Sequence, residues 1–341
     1  MSHLNQVISF SRSFILQGLL YLCLVVPVSH LAQSLAWAQS TVPLSKPSAV
    51  IKFDENRAFK TLNNMVQRGQ RYYGAPMREE AIQWLADQFK VLGAELSLQR
   101  LQKLESKSKV SYTLTNIVAR FNPQAKKRVI LGSHWDTRLW AEEDHQLELK
   151  EKPITGANDG SSGIAVLIEL ARQLPYLQLN QIGVDFVLFD GEEFGRPGSD
   201  DYCAGSRYFA QELKSYYPTI KPIAVIIIDM VGDQDLAFPP EQSSVKYARD
   251  LTTLIWREAI QLKLPAFKRG LERGSAHAKS LWIVDDHSPF QKLGIPSTLI
   301  IDLNYPHWHT HQDTMDKISP LSLKQTGLAL AASLKKINSQ L

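Results

Sequence analysis

Beyond residue 52 the chain alternates between two hydrophobic periods. Five short runs, TNIVARF, RVILGSH, VDFVLFD, IAVIIIDMV and STLIIDL, carry the strand signal, and several are apolar almost without a break. Continuous apolar runs suit strands covered on both faces of a sheet, whereas half-exposed strands would alternate. Apolar residues recur at helical spacing in EEAIQWLADQFKVLG, which Gly93 stops, and in SSGIAVLIELARQL, GSRYFAQELKS, SVKYARDLTTLIWREAI, HSPFQKL and LSLKQTGLALAASLKKI. Strand and helix alternate over nearly the whole length, which predicts a single α/β/α sandwich, residues 53–341. No internal repeat or low-complexity segment interrupts it.

The first forty residues follow a different rule. Arg12 precedes FILQGLLYLCLVVPVSHLA, and this apolar run leads to Ala36, Trp37 and Ala38. Charge, apolar core and A-x-A in that order read as a secretory signal peptide, residues 1–38. The alternative is an N-terminal membrane anchor, but Gln17, Pro27, Ser29 and His30 break the run and leave it short for a span. Cys23 follows Tyr21 and Leu22, without the small residue a lipoprotein signal needs. Residues 39–52, QSTVPLSKPSAVIK, are polar and contain Pro, as a flexible arm would. The expectation is an exported protein, periplasmic or secreted, monomeric, and not stably inserted in a membrane after cleavage.

Composition adds two exclusions. Without residues 1–38 the formal charge is +3, too mild to imply a nucleic-acid partner. Cys203 is then the sole cysteine, so no internal disulfide can form and an ordinary core must hold the domain; the hydrophobic fraction of 44% allows one.

Open α/β sheets form their sites at the carboxyl ends of strands. His134 and Asp136 follow RVILGS, Asp190, Glu192 and Glu193 follow VDFVLF, Asp229 and Asp233 follow VIII, and HWHTHQDTMDKI lies beyond STLIIDL. Each such group is costly to bury alone, so four strand ends carrying acids or His at one edge point to a shared site. Zinc takes His and carboxylate ligands and, in catalytic sites, keeps one position open. His134, Asp159, Glu193, Asp229 and His309 are the candidates. Taken one at a time they have plain readings: Asp159 before Gly160 suits a turn or helix cap, and Glu193 suits a solvated acid.

Six segments, GSHWDTR, ITGANDGSSGIAVLIELAR, VLFDGEEFG, DMVGD, DDHSPFQKLGIPS and WHTHQDTMDKI, resemble in order and spacing the zinc-dependent exopeptidase family. That family contains both two-zinc aminopeptidases and glutaminyl-peptide cyclotransferases. The resemblance runs from about Phe53 to the C-terminus and implies a three-layer α/β/α fold around a central mixed, mainly parallel, twisted sheet. All five aminopeptidase ligand positions have counterparts here, so ligands alone do not separate the two branches. Asp285-Asp286-His287, and Trp308 directly before His309, are similar to the cyclotransferases.

That branch implies conversion of N-terminal glutamine of peptides or proteins to pyroglutamate with release of ammonia. The resemblance assigns one zinc ion to Asp159, Glu193 and His309, proton transfer to Glu192, and hydrogen bonding of the intermediate to Asp229 and Asp285. It places Trp308 at the substrate pocket; Tyr202, in place of a second pocket Trp that this chain lacks, and Tyr305 are the further pocket candidates. His134, Asp229 and Asp313 are candidates for a second metal or for supporting the ligands, Asp313 at the second nitrogen of His309; His307 and His311 are expected to be solvated. The chain departs from the animal enzymes in having Ser133 beside the His motif, with no disulfide, and no second pocket Trp after Glu193. The alternatives are a two-zinc aminopeptidase and a non-catalytic binding ectodomain; the latter would be expected to have lost the ligands.

Overall fold

The computed structural model describes residues 51–277 and 282–341; the predicted signal peptide and all but the last two residues of the arm lie outside them. Helices α1 (Glu55–Val66) and α2 (Arg78–Lys90) precede a hairpin of β1 (Glu95–Leu104) and β2 (Ser111–Phe121). There follow β3 (Lys127–His134), α3 (Ser162–Leu177), β4 (Ile182–Phe189), α4 (Ala204–Gln211), α5 (Leu213–Tyr216) and β5 (Ala224–Asp229). The chain continues through α6 (Gln242–Tyr247), α7 (Arg249–Gln261), α8 (Pro265–His277), α9 (Ser288–Lys292), β6 (Ser297–Ile301) and α10 (Pro320–Ser339). The strand order is β1-β2-β4-β3-β5-β6. Pairs β1/β2 and β2/β4 are antiparallel, while β3, β4, β5 and β6 run parallel. The sheet is therefore mixed, as expected.

The continuous apolar runs divide between two cores because neighbouring strand residues face opposite sides of the sheet. In β5, Ile226 and Ile228 join the larger core with α1, α2, α3, α7 and α10, while Val225 and Ile227 join the smaller one with α4, α5 and α9. Phe186 and Leu188 of β4 likewise oppose Val187 and Phe189. Helices thus cover both faces, and the parallel strand ends remain at one edge.

Two departures from the sequence reading concern edges and breaks. Strand β1 was not among the expected strands; it borders the sheet, and only Gln99 and Leu101 of its ten residues are buried. The run SVKYARDLTTLIWREAI is two helices, divided at Ala248, whose backbone (φ −139°, ψ 41°) is not helical. No helix among the described residues is long and apolar enough to cross a membrane.

One close packing point couples this frame to the turn after β4. Asn116 of β2 accepts from the Asp190 amide and donates to the Gly205 carbonyl, 2.9 Å each, and the Gly205 amide donates to the Asp190 carbonyl at 2.9 Å. A methyl group on Gly205 would lie 2.2 Å from that carbonyl oxygen and 2.3 Å from Asn116 Oδ1. Gly205→Ala is therefore expected to lower unfolding stability by about 1–3 kcal/mol, measured by urea denaturation. An unchanged midpoint would contradict so tight a contact.

Candidate metal centre and active-site cavity

The functional side chains stand where strands stop. Strand β3 ends at His134 and β5 at Asp229. After β4 the chain turns through Asp190 and Gly191, whose φ of +71° suits glycine, and then presents Glu192 and Glu193. Asp136 accepts from both of their amides, at 3.3 and 3.1 Å, so it fixes the two glutamates relative to β3. Leaving the strand frees adjacent residues from strict alternation, and Glu192 and Glu193 take different surroundings.

Asp159 belongs to the loop entering α3. Asp313 holds this loop by accepting from the amides of Asn158 (2.8 Å) and Asp159 (3.1 Å), and it also accepts from the Tyr305 hydroxyl at 2.7 Å. This corrects the expected place of Asp313. The second nitrogen of His309 meets Glu142 instead, Nδ1 to Oε1 at 3.0 Å.

Two sets of potential ligands result. Asp159, Glu193 and His309 each offer an atom, all within 4.8 Å of one another, and His134, Asp159 and Asp229 form a second such set. Asp159 is shared. In the first set, His309 Nε2 lies 2.9 Å from Glu193 Oε1 and 3.6 Å from Asp159 Oδ2. In the second, His134 Nε2 lies 3.1 Å from Asp159 and 3.0 Å from Asp229.

The donor chemistry fits a dication. Asp159 Oδ2 and Glu193 Oε2 are buried without a hydrogen-bond partner, although the latter faces Arg138 Nη1 at 3.3 Å. Buried anionic oxygens left in this state are expensive unless a cation joins them. Burial and the neighbouring Glu193 charge push Asp159 well above the usual carboxylate range, and the same two causes raise Glu192. Burial would raise Glu193 too, but His309 and Arg138 hold it low. Burial opposes protonation of His309, yet Glu193 and Glu142 raise it to about 10.

Arg138 and Glu142 were not singled out from the sequence. Arg138 is fully buried and donates to Glu142 Oε1 (2.8 Å), to the Tyr202 hydroxyl (2.6 Å) and to the carbonyls of Glu193 and Gly195 (3.1 Å each). With Glu142 on His309 and Glu193 on the opposite nitrogen, these four residues close a ring. Arg138 lay within GSHWDTR without a role, and Glu142 sat among other loop acids with no pattern to mark it. Cys203 was noted only for disulfide chemistry; its thiol donates to Glu192 Oε1 at 3.3 Å.

A cavity of about 590 Å³ opens over the first ligand set. Glu192, Asp229, Asp285, Tyr202, Tyr305 and Trp308 line it, whereas His134 and Asp313 do not. Trp308 stacks on His309, centroids 3.9 Å apart and planes at 25°, and remains 43% exposed, so it is a cavity wall and not a core residue. Asp285 is buried, and burial together with the Asp229 charge raises it to about 6. His311 is half-buried and bonded to Asp144 at 3.2 Å, more constrained than a solvated histidine.

The model of peptidase family M28 matches residues 116–334. The glutaminyl-peptide cyclotransferase of Gloydius blomhoffii is 27% identical over 238 residues, which cover 60% of this chain and 61% of the snake protein's length. Among solved structures, Fimbriiglobus ruber glutaminyl cyclase superposes with a TM-score of 0.75 at 30% identity, over 83% of this chain and 95% of the other. A leucine aminopeptidase precursor from Bacteroides thetaiotaomicron gives 0.75 at 28%, over 83% and 97%. With a model match over more than half its length and the ligand sets intact, the chain belongs to peptidase family M28.

Proposed function

We propose that this protein is a zinc-dependent glutaminyl-peptide cyclotransferase, acting on peptide or protein N-termini that begin with Gln. The observation that carries the reading is the cavity wall: Asp285 and Trp308, two of the residues whose resemblance favours the cyclotransferase branch, both line the space over the first ligand set. The relatives and structures bearing that name support it.

Asp159, Glu193 and His309 would hold the zinc ion, which when bound supplies Lewis acidity toward the γ-amide carbonyl of the substrate. The chain's own groups do the rest. Glu192, at the cavity surface and fixed through its amide by Asp136 and through Oε1 by Cys203, accepts a proton from the attacking α-amine. The α-nitrogen forms a bond to the side-chain amide carbon, the bond from that carbon to the amide nitrogen breaks, and Glu192 returns the proton so that ammonia leaves. Asp229 and Asp285 accept hydrogen bonds from the nitrogens at the reacting carbon. Trp308, Tyr202 and Tyr305 limit the space around a flexible side chain, which favours the folded conformer that can close.

A two-metal aminopeptidase is the second reading, favoured by the sharing of Asp159 between two ligand sets and by the similarity to the leucine aminopeptidase precursor. Assays for ammonia from Gln-peptides and for free amino acid from Leu-peptides separate them. Ammonia release is the expected result; amino-acid release without ammonia would overturn the proposal. Glu192→Gln should lower the cyclisation kcat by at least about 100-fold while zinc stays bound, whereas Glu193→Gln should lose the metal. A near-normal rate in Glu192→Gln would remove it from proton transfer.

The ring through Glu142 gives a separate test. Glu142→Gln keeps the shape but weakens the anionic acceptor on His309 Nδ1. Zinc affinity by competition with a chelator should fall about 10- to 100-fold. An unchanged affinity would mean that Glu142 only fills space beside the ligand.

A further inference from the structure

A second, more open groove of about 430 Å³ adjoins the active-site cavity, and Asp200 and Arg207 line both. Its walls come from α4, through Arg207 and Gln211, and from α9 and its C-cap, through Pro289, Lys292 and Leu293. Arg207 and Gln211 are four residues apart on one helix and so share a face. The two helices meet along this line, so the groove is a fixed feature between packed elements.

The charge in the groove is not balanced locally. Arg207 donates to the Asp200 backbone carbonyl at 2.7 Å, a bond that leaves its positive charge uncancelled. Neither Arg207 nor the exposed Lys292 makes an ion pair among the described residues. Asp200 is the one acid in the lining, and like Arg207 it is shared with the active-site cavity. The lining that belongs to the groove alone includes the Lys292 ammonium and the Gln211 amide, and no acid.

We propose that this groove is a downstream subsite for the substrate chain, receiving an acidic side chain or a free C-terminal carboxylate beside Arg207 and Lys292. The inference rests on the cyclotransferase reading and specifies its substrates. A glutaminyl side chain bound beneath Trp308 fills the closed end of the cavity, and the rest of a peptide has to leave through the rim. Asp200 and Arg207 line both the cavity and the groove, so a chain passing from one to the other runs beside them. Their paired donors and acceptors suit a peptide backbone passing over them, and an anion further along meets charge of the opposite sign.

The test is a set of amidated pentapeptides, Gln followed by four Ala, in which Glu or Lys replaces one Ala in turn at positions two to five. Ammonia release gives kcat/KM for each. At one or two adjacent positions Glu should exceed Lys by about three- to tenfold, the scale of solvent-accessible charge pairing, and the ratio should shrink as salt is raised. In Lys292→Glu the ratio at those positions should invert; it is read within the variant, so a general change in turnover cancels. Equal rates for Glu and Lys peptides at every position, or a preference untouched by Lys292→Glu, would overturn the subsite while leaving cyclisation intact. No ammonia from any of the peptides would instead bring down the reading on which it rests, and the subsite with it.

Discussion

Crowding of carboxylates in a dry place is the constraint on which the site depends. Asp159 touches both ligand sets, with Glu193 and Asp229 on either side, and all three are shielded from water. Like charges at such distances cannot all persist unless something cancels them. His134, His309 and Arg138 provide part of that cancellation, and two carboxylate oxygens still lack hydrogen bonds. The fold tolerates this arrangement because the sheet and its two cores hold the groups from behind. Asp136, Asp313 and Asn116 tie the loops that carry them to neighbouring strands and turns. A bound dication would turn this unfavourable cluster into the most strongly linked part of the molecule.

The same residues differ in role because their surroundings differ. Glu192 and Glu193 are adjacent, yet Glu193 is flanked by His309 and Arg138 and held ionised, whereas Glu192 faces the cavity with only a thiol on its carboxylate and is pushed toward the neutral form. A ligand benefits from the first environment and a proton carrier from the second. The turn at Gly191 makes the division possible, since on a continuing strand the two side chains would point to opposite faces of the sheet.

Much of this was legible in the sequence. Apolar runs identified the central strands because those strands are buried on both faces, and the strand ends marked His134, Glu192, Glu193, Asp229 and the segment of His309, while Asp159 and Asp285, in loops before α3 and α9, were assigned by the family resemblance. Part of what escaped notice did carry a signal: α1 buries Ala58, Leu62 and Met65 at helical spacing, yet neither it nor α8 was among the expected helices; the rest had no periodic signal. Strand β1 is an exposed edge whose pattern is mostly polar, and Ala248 breaks a helix without Gly or Pro to mark it. Glu142 reaches His309 across 167 positions of chain, a contact created by tertiary folding alone. Asp313 was expected at the second nitrogen of that histidine because a metal-bound His usually has such a partner; the structure places it instead on the amides of the Asp159 loop.

Because Asp159 is common to both ligand sets, the number of metal ions needed for turnover bears most directly on the mechanism. Metal-free protein can be titrated with zinc while bound metal and ammonia release from a Gln-peptide are followed together. The account requires full cyclisation activity when one zinc ion is bound per chain, with no further gain from a second. Activity that appears only as a second ion binds, or release of amino acids in place of ammonia at that point, would contradict it.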